Sequence, residues 1–295
     1  MIDVLAAGHA KVIGYTVFFS EPQVDAGLNY IYKIAELIGN STLKNSTDPV
    51  HQAELGQLNA LLQEAATNLD NDQKLSDSMA KANDVLLSMF FELGEPQGKP
   101  DQALPDYVLR NNLLNVKDAG GSGELPLLSQ GVLPPIPLLG SKALAIGHLN
   151  SDPDVDGAVR TEPLVVSYYD QYYPSLSLML AAKSLNLEPK DIHVNLGEGV
   201  QLGSQKIATD PALRMHTYFY KDKDGRPAFP VDSFYDVLTG KIPAEKYRDK
   251  IVLIGASAAG VGSPMHWIMR INRAWCTGTS SRPTSCTIRR PTRPR

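Results

Sequence analysis

Short apolar runs that suit strands alternate along this chain with stripes spaced three and four apart that suit helices. Residues 12–19 (VIGYTVFF) and 85–93 (VLLSMFFEL) are β-branched and aromatic, the composition of buried strands. Residues 143–146, 163–169, 192–196, 200–202, 213–220 and 250–254 read as further strands. Between them, Leu28, Ile31, Ala35 and Ile38 mark one face of a helix that stops near Gly39. Asp48-Pro49 opens the next helix with a cap and a proline at its first position, and Leu55, Leu58, Leu62, Ala65 and Leu69 form its stripe. Leu75, Met79 and Ala82 continue in a shorter helix, residues 5–10 read as a helix end, and Leu176, Met179, Leu180 and Leu187 mark another helix. Residues 231–238 read as a last short helix. The stripes are expected to be core.

This alternation predicts an α/β fold around a single mixed β-sheet flanked by helices. Residues 94–137 interrupt it with seven prolines and read as a long Pro/Gly-rich loop, a candidate cover for a ligand. Residues 221–225 (KDKDG) read as a hairpin turn. Tyr168, Tyr169, Tyr172 and Tyr173 are expected to pack, with their hydroxyls outward.

Residues 147–160 (GHLNSDPDVDGAVR) are the most informative run. Pro153, three Asp and Gly157 favour a turn between the strands on either side. Asp152, Asp154 and Asp156 followed by Gly157 also have the spacing of a calcium loop. The closing bidentate Glu would fall at Pro163, Glu162 stands one place early, and the following residues are strand-like. A tight turn with solvated carboxylates is the expected structure. Glu21 and Asp25 follow the first strand, where α/β sheets gather ligands, and Asp25 is also placed to cap the next helix.

A Gly and an Asn before a D-x-D-G-x-x-R turn, here Gly147, Asn150, Asp154, Asp156, Gly157 and Arg160, resemble the signature of the type-two CHASE domain. Residues 14–22, 72–75, 83–87, 174–178 and 250–260 resemble further segments of that family in its order. The resemblance implies an extracytoplasmic sensory domain of bacterial signal-transduction proteins, joined to adenylate cyclase, kinase or diguanylate cyclase outputs and bounded by membrane helices. It implies a periplasmic setting, no catalytic residues, no cofactor and no metal. Its ligand is an unidentified small molecule or protein signal, and a homodimer is a further expectation. Glu21, Asp25, Asn150, Asp154, Asp156 and Arg160 are the candidate ligand-binding residues. An earlier strand and membrane helix normally come first in the family, so residues 1–262 are expected to be an N-terminally truncated sensory domain.

Charge changes the picture at one end. The residues up to Ser263 carry 21 Lys and Arg against 32 acids, whereas those beyond it carry seven Arg and no acid. Both Trp and both Cys also fall there. A shift this abrupt points to a disordered Arg-rich tail at 263–295, read out of frame. The acidic body argues against nucleic acid. No run of about 18 apolar residues suits a transmembrane helix, and no signal-peptide pattern opens the chain.

Catalytic motifs fail on spacing. Residues 254–260 (IGASAAG) lack the Lys of a phosphate loop, and Ser257 has Ala259 where a nucleophile elbow needs Gly. A serine hydrolase would also need an acid and a His after Ser257, and only His266 follows. The six His show no zinc-ligand spacing. The alternatives to a sensor are a small serine hydrolase using Ser257 and a dimerisation scaffold.

Overall fold

The computed structural model describes residues 1–100, 103–118, 120, 121, 123, 125–221 and 228–256. In chain order the helices are α1 (Ile2–Ala7), α2 (Ala26–Gly39), α3 (Pro49–Leu69), α4 (Asn71–Ala82), α5 (Asp106–Leu109), α6 (Pro137–Gly140), α7 (Leu176–Ser184) and α8 (Phe234–Leu238). The strands are β1 (Val12–Tyr15), β2 (Val85–Leu93), β3 (Asn115–Lys117), β4 (Leu127–Leu133), β5 (Ala145–His148), β6 (Thr161–Pro163) and β7 (Val165–Tyr168). They continue with β8 (Gln171–Pro174), β9 (Ile192–Asn195), β10 (Gly199–Leu202), β11 (Gln205–Ala208), β12 (Arg214–His216) and β13 (Ile251–Ile254).

The fold is the expected mixed α/β arrangement, a curled mixed sheet with helices packed against it. Its strand order is β13-β1-β2-β4-β7-β8, with β5 also paired to β2. The sheet branches along β2. Leu86–Met89 run parallel to β5, and Phe90–Leu93 run antiparallel to β4. A four-stranded sheet (β11-β10-β9-β3) and the ribbon β12-β6 complete the described strands.

Strand periodicity sends side chains to two cores. Ile13, Val85, Leu87, Met89 and Phe91 face α1, α4 and α6, joining Ile2, Leu5, Met79 and Leu139. Val12, Leu86 and Ala145 face α7 and the four-stranded sheet, joining Leu176, Leu180, Ile192 and Val200. Helix α7 lies between the two sheets and is buried over nearly its whole length, so its apolar residues are not confined to one stripe.

Several expectations change. The stripes of α2 and α3 are not core, because no residue of either helix is buried. The two helices pack chiefly on each other, as a hairpin. The first strand stops at Tyr15, and residues 16–25 turn away before Asp25 caps α2. The stretch read as a loop at 94–137 contains α5, β3 and β4, and β4 belongs to the central sheet. Tyr168 and Tyr173 are buried against Phe91, ring centroids 5.9 and 5.3 Å away, and Tyr173 donates its hydroxyl inward to Gln171. Residues 169 and 170 form the two-residue turn between β7 and β8, with Tyr169 at φ 51°. The strand expected over 213–220 is limited to β12. Most of the turn at 221–225, Ser257 and the tail at 263–295 lie outside the described residues.

Candidate functional site

The informative run begins as β5 reaches its carboxyl end beside α7. Gly147 permits that approach, since a Cβ there would lie 2.5 Å from Leu176 Cα and 2.6 Å from its nitrogen. Only a residue without a side chain lets the strand and the start of the helix touch. His148 follows, 1% exposed, and its Nδ1 accepts from the Asn150 amide at 3.3 Å. Burial lowers its pKa from 6.5 to about 3, so the ring is neutral.

Asn150 does structural work that its motif position does not reveal. Its Oδ1 accepts from the Phe91 amide at 3.0 Å, and its Nδ2 donates to the Phe91 carbonyl at 2.7 Å. β5 ends at His148, while β2 runs on. The Asn150 amide therefore satisfies two backbone groups of β2 that would otherwise be buried without partners.

The acidic turn comes next. Gly157 has φ +75°, its amide donates to Asp154 O at 2.7 Å, and Asp154 N donates to Ala158 O at 2.8 Å. This closed turn brings Arg160 back over its own acids. The guanidinium donates to Asp154 Oδ2 at 2.6 Å and to both oxygens of Asp156 at 2.9 and 2.6 Å. Hydrogen bonds from Arg160 hold the Asp156 carboxyl well below the ordinary range and push the Arg160 pKa upward. Asp152 goes elsewhere: Arg214 on β12 donates to its Oδ2 at 2.6 Å and to Asp210 at 2.7 Å. These hydrogen bonds raise the Arg214 pKa. All three Asp of the calcium-like spacing are thus paired with arginines, and no group of acids, His or Cys among the described residues is arranged to hold a metal.

Beyond the turn, β6 directs Glu162 to the start of α7. Ser177 donates its hydroxyl to Glu162 Oε1, and Ser175 Oγ lies 2.9 Å from Ser177 Oγ while capping the Leu178 amide at 3.2 Å. Glu162 is partly buried as a residue, with its carboxyl turned inward. Burial raises its pKa to about 7, against the opposing serine hydrogen bonds.

The structure therefore brings Asp154, Asp156 and Arg160 together at the surface and leaves Asn150 buried apart from them, bonded to Phe91 of β2. It does not add the other two candidates. Asp25 accepts from the Leu28 amide at 2.8 Å as the cap of α2, and Glu21 is exposed in the loop after β1. Sequence reasoning missed Arg214, Asp210 and Glu162 as members of this region. Only the i, i+4 spacing of Asp210 and Arg214 left a local trace.

A family model for the CHASE2 domain matches residues 1–266. The chain belongs to the CHASE2 domain family. CHASE2 is a sensory domain, so the residues around the 147–160 turn belong to a sensor's fold. No curated protein and no solved structure matches the chain. No described helix of this CHASE2 domain is long and apolar enough to cross a membrane.

Proposed function

We propose that this CHASE2 domain is the extracytoplasmic input module of a bacterial signal-transduction protein, that it acts on a cyclase or kinase output, and that it catalyses no reaction itself. The sensory unit is residues 1–262, and the signal is a small molecule or protein that engages the 149–160 turn. Membership of the CHASE2 family over residues 1–266 is the observation that carries this reading.

Local geometry supports the choice of turn. The Arg160 pairs with Asp154 and Asp156 are solvent-exposed, with side-chain exposures of 52%, 39% and 58%. Exposed pairs of this kind hold a conformation weakly and exchange readily with competing ligand charges. The turn also joins β5 of the central sheet to β6, whose Glu162 touches the start of α7. A ligand that reorganises the turn thus acts on a strand that reaches the buried helix. The alternative candidates Glu21 and Asp25 have less support, because Asp25 already caps α2.

A thermal-shift screen of the full chain against charged periplasmic metabolites tests this reading. The expected result is a ligand that raises the melting temperature of the natural chain and loses most of that shift with Arg160→Gln. A ligand whose shift survives Arg160→Gln and Asp154→Asn together would move the site elsewhere. Turnover of any screened compound would overturn the non-catalytic reading.

A further inference from the structure

The hairpin formed by α2 and α3 has a second apolar surface, distinct from the one that joins the two helices. Leu28, Ile31, Ala35 and Ile38 of α2 are half-buried, as are Leu55, Leu62, Ala65 and Leu69 of α3, and these residues form the joining stripe. A Cβ on Gly27 would lie 3.3 Å from Leu69 Cδ1, so the start of α2 meets the end of α3 and the pair is antiparallel. Successive helical residues turn by about 100°. Tyr30, Ile34 and Leu37 therefore form a stripe roughly a quarter-turn or slightly more from the joining face of α2. Val50 and Leu61 form a stripe about a quarter-turn from the joining face of α3, with Leu58 at the border between the two faces. Because the chain direction reverses between the helices, both stripes fall on the same side of the hairpin and make one continuous face. The opposite side of α3 carries Gln52, Asn59 and Gln63.

This face is open to solvent. Tyr30 is 67% exposed, Ile34 44%, Leu37 72%, Val50 62%, Leu58 40% and Leu61 62%. Scattered exposed apolar residues are ordinary, but six aligned along two paired helices form a patch that marks an interaction site.

We propose that this face is the dimerisation surface of the protein, closed by the same face of a second copy to form a four-helix bundle. The area favours this occupant. The six exposed fractions amount to about three and a half whole side chains, on the order of 600 Å² of apolar surface per copy. Two copies then remove about 1,200 Å² from water before any rim contact, the lower edge of the ~1,200–2,000 Å² that stable interfaces bury. The helix length suits it as well, since the 21 residues of α3 span about 30 Å. Charge argues against an anionic membrane as the occupant. An interfacial helix presents a ring of Lys and Arg around its apolar stripe, whereas Glu54 lies among Val50, Leu58 and Leu61 here and Lys33 stands at the rim over the Tyr30 ring.

The test is sedimentation of the full chain from about 1 to 100 µM, with circular dichroism melting as the check on folding. The natural chain is expected to be a dimer in the upper part of this range. Ile34→Glu and Leu61→Glu are each expected to weaken dimerisation at least about a hundredfold with little change in melting, since both positions are exposed and neither supports a core. Gln63→Glu on the opposite side is expected to leave the dimer intact. If either face variant melts early, Leu37→Ser provides the same readout with a smaller perturbation. A natural chain that remains monomeric at 100 µM, or a dimer that survives both glutamate substitutions, overturns the proposal. So does co-flotation of a monomeric natural chain with anionic vesicles that the face variants lose, because the occupant is then a membrane.

Discussion

Replacing Glu162 with Gln tests whether a carboxyl at the start of α7 makes the protein pH-sensitive. Folding moves the Glu162 pKa from an ordinary 4.5 to about 7, chiefly through burial. Below about pH 4.5 the group is protonated in both states and contributes nothing to the pH dependence. Between 4.5 and 7 the folded chain keeps a proton that the unfolded chain has lost, so stability falls as the pH rises. Above about 7 the full cost of holding the buried carboxylate is present. At about 1.36 kcal/mol per pKa unit this cost is on the order of 2–3 kcal/mol, the lower figure allowing for water that reaches a partly exposed residue. Glu162→Gln removes the ionisation and keeps an oxygen to accept from Ser177. The expected result is near-equal stability of the two proteins at pH 4 and a variant more stable by about 2–3 kcal/mol at pH 8.

Urea unfolding of both proteins at both pH values gives the answer as a double difference. Two other buried groups titrate in the same interval and cancel in that difference. Asp84 is raised by burial to about 6, which also lowers stability as pH rises. His148 is depressed by burial to about 3, so its contribution is lost as pH falls below its unfolded value. A double difference below about 0.5 kcal/mol, or one of opposite sign, would refute the placement of the Glu162 carboxyl inside the fold.

Two further substitutions probe the elements around the same strand ends. Asn150→Ala leaves the Phe91 amide and carbonyl buried without partners. It is expected to destabilise the chain by about 2–4 kcal/mol in urea titration, and a loss below about 1 kcal/mol would contradict the bracing role. Gly147→Ala places a methyl 2.5 Å from the Leu176 backbone. The expected outcome is a loss of about 3 kcal/mol or more, or a chain that fails to accumulate in soluble form. A melting temperature equal to that of the natural chain would show that α7 can move off β5.

Much of the local structure was legible because it depends on neighbours in the chain. Asp25 and Asp48 with Pro49 cap helices where their types and positions predict. The β-branched and aromatic runs became β1, β2, β7 and β13. The acidic turn was also readable, since Gly157 and the four- and six-residue spacings to Arg160 lie within one short loop. The motif residues from Gly147 to Arg160 and the segments in family order were enough to point to CHASE2.

The remaining features depend on residues far apart in sequence. Asn150 bonds to Phe91 across 59 positions, Arg214 to Asp152 across 62, and Glu162 to Ser177 across 15. Nothing local in the chain encodes those distances. The stripe on α3 shows the same limit from another side. Apolar residues at helical spacing establish that a helix has a face to bury, but not what will cover it. In α4 that face meets α1 and α6 and becomes core, whereas in α2 and α3 it meets chiefly the other helix of the pair. Periodicity is a property of one segment, while burial depends on two surfaces meeting, and tertiary packing alone decides which surfaces those are.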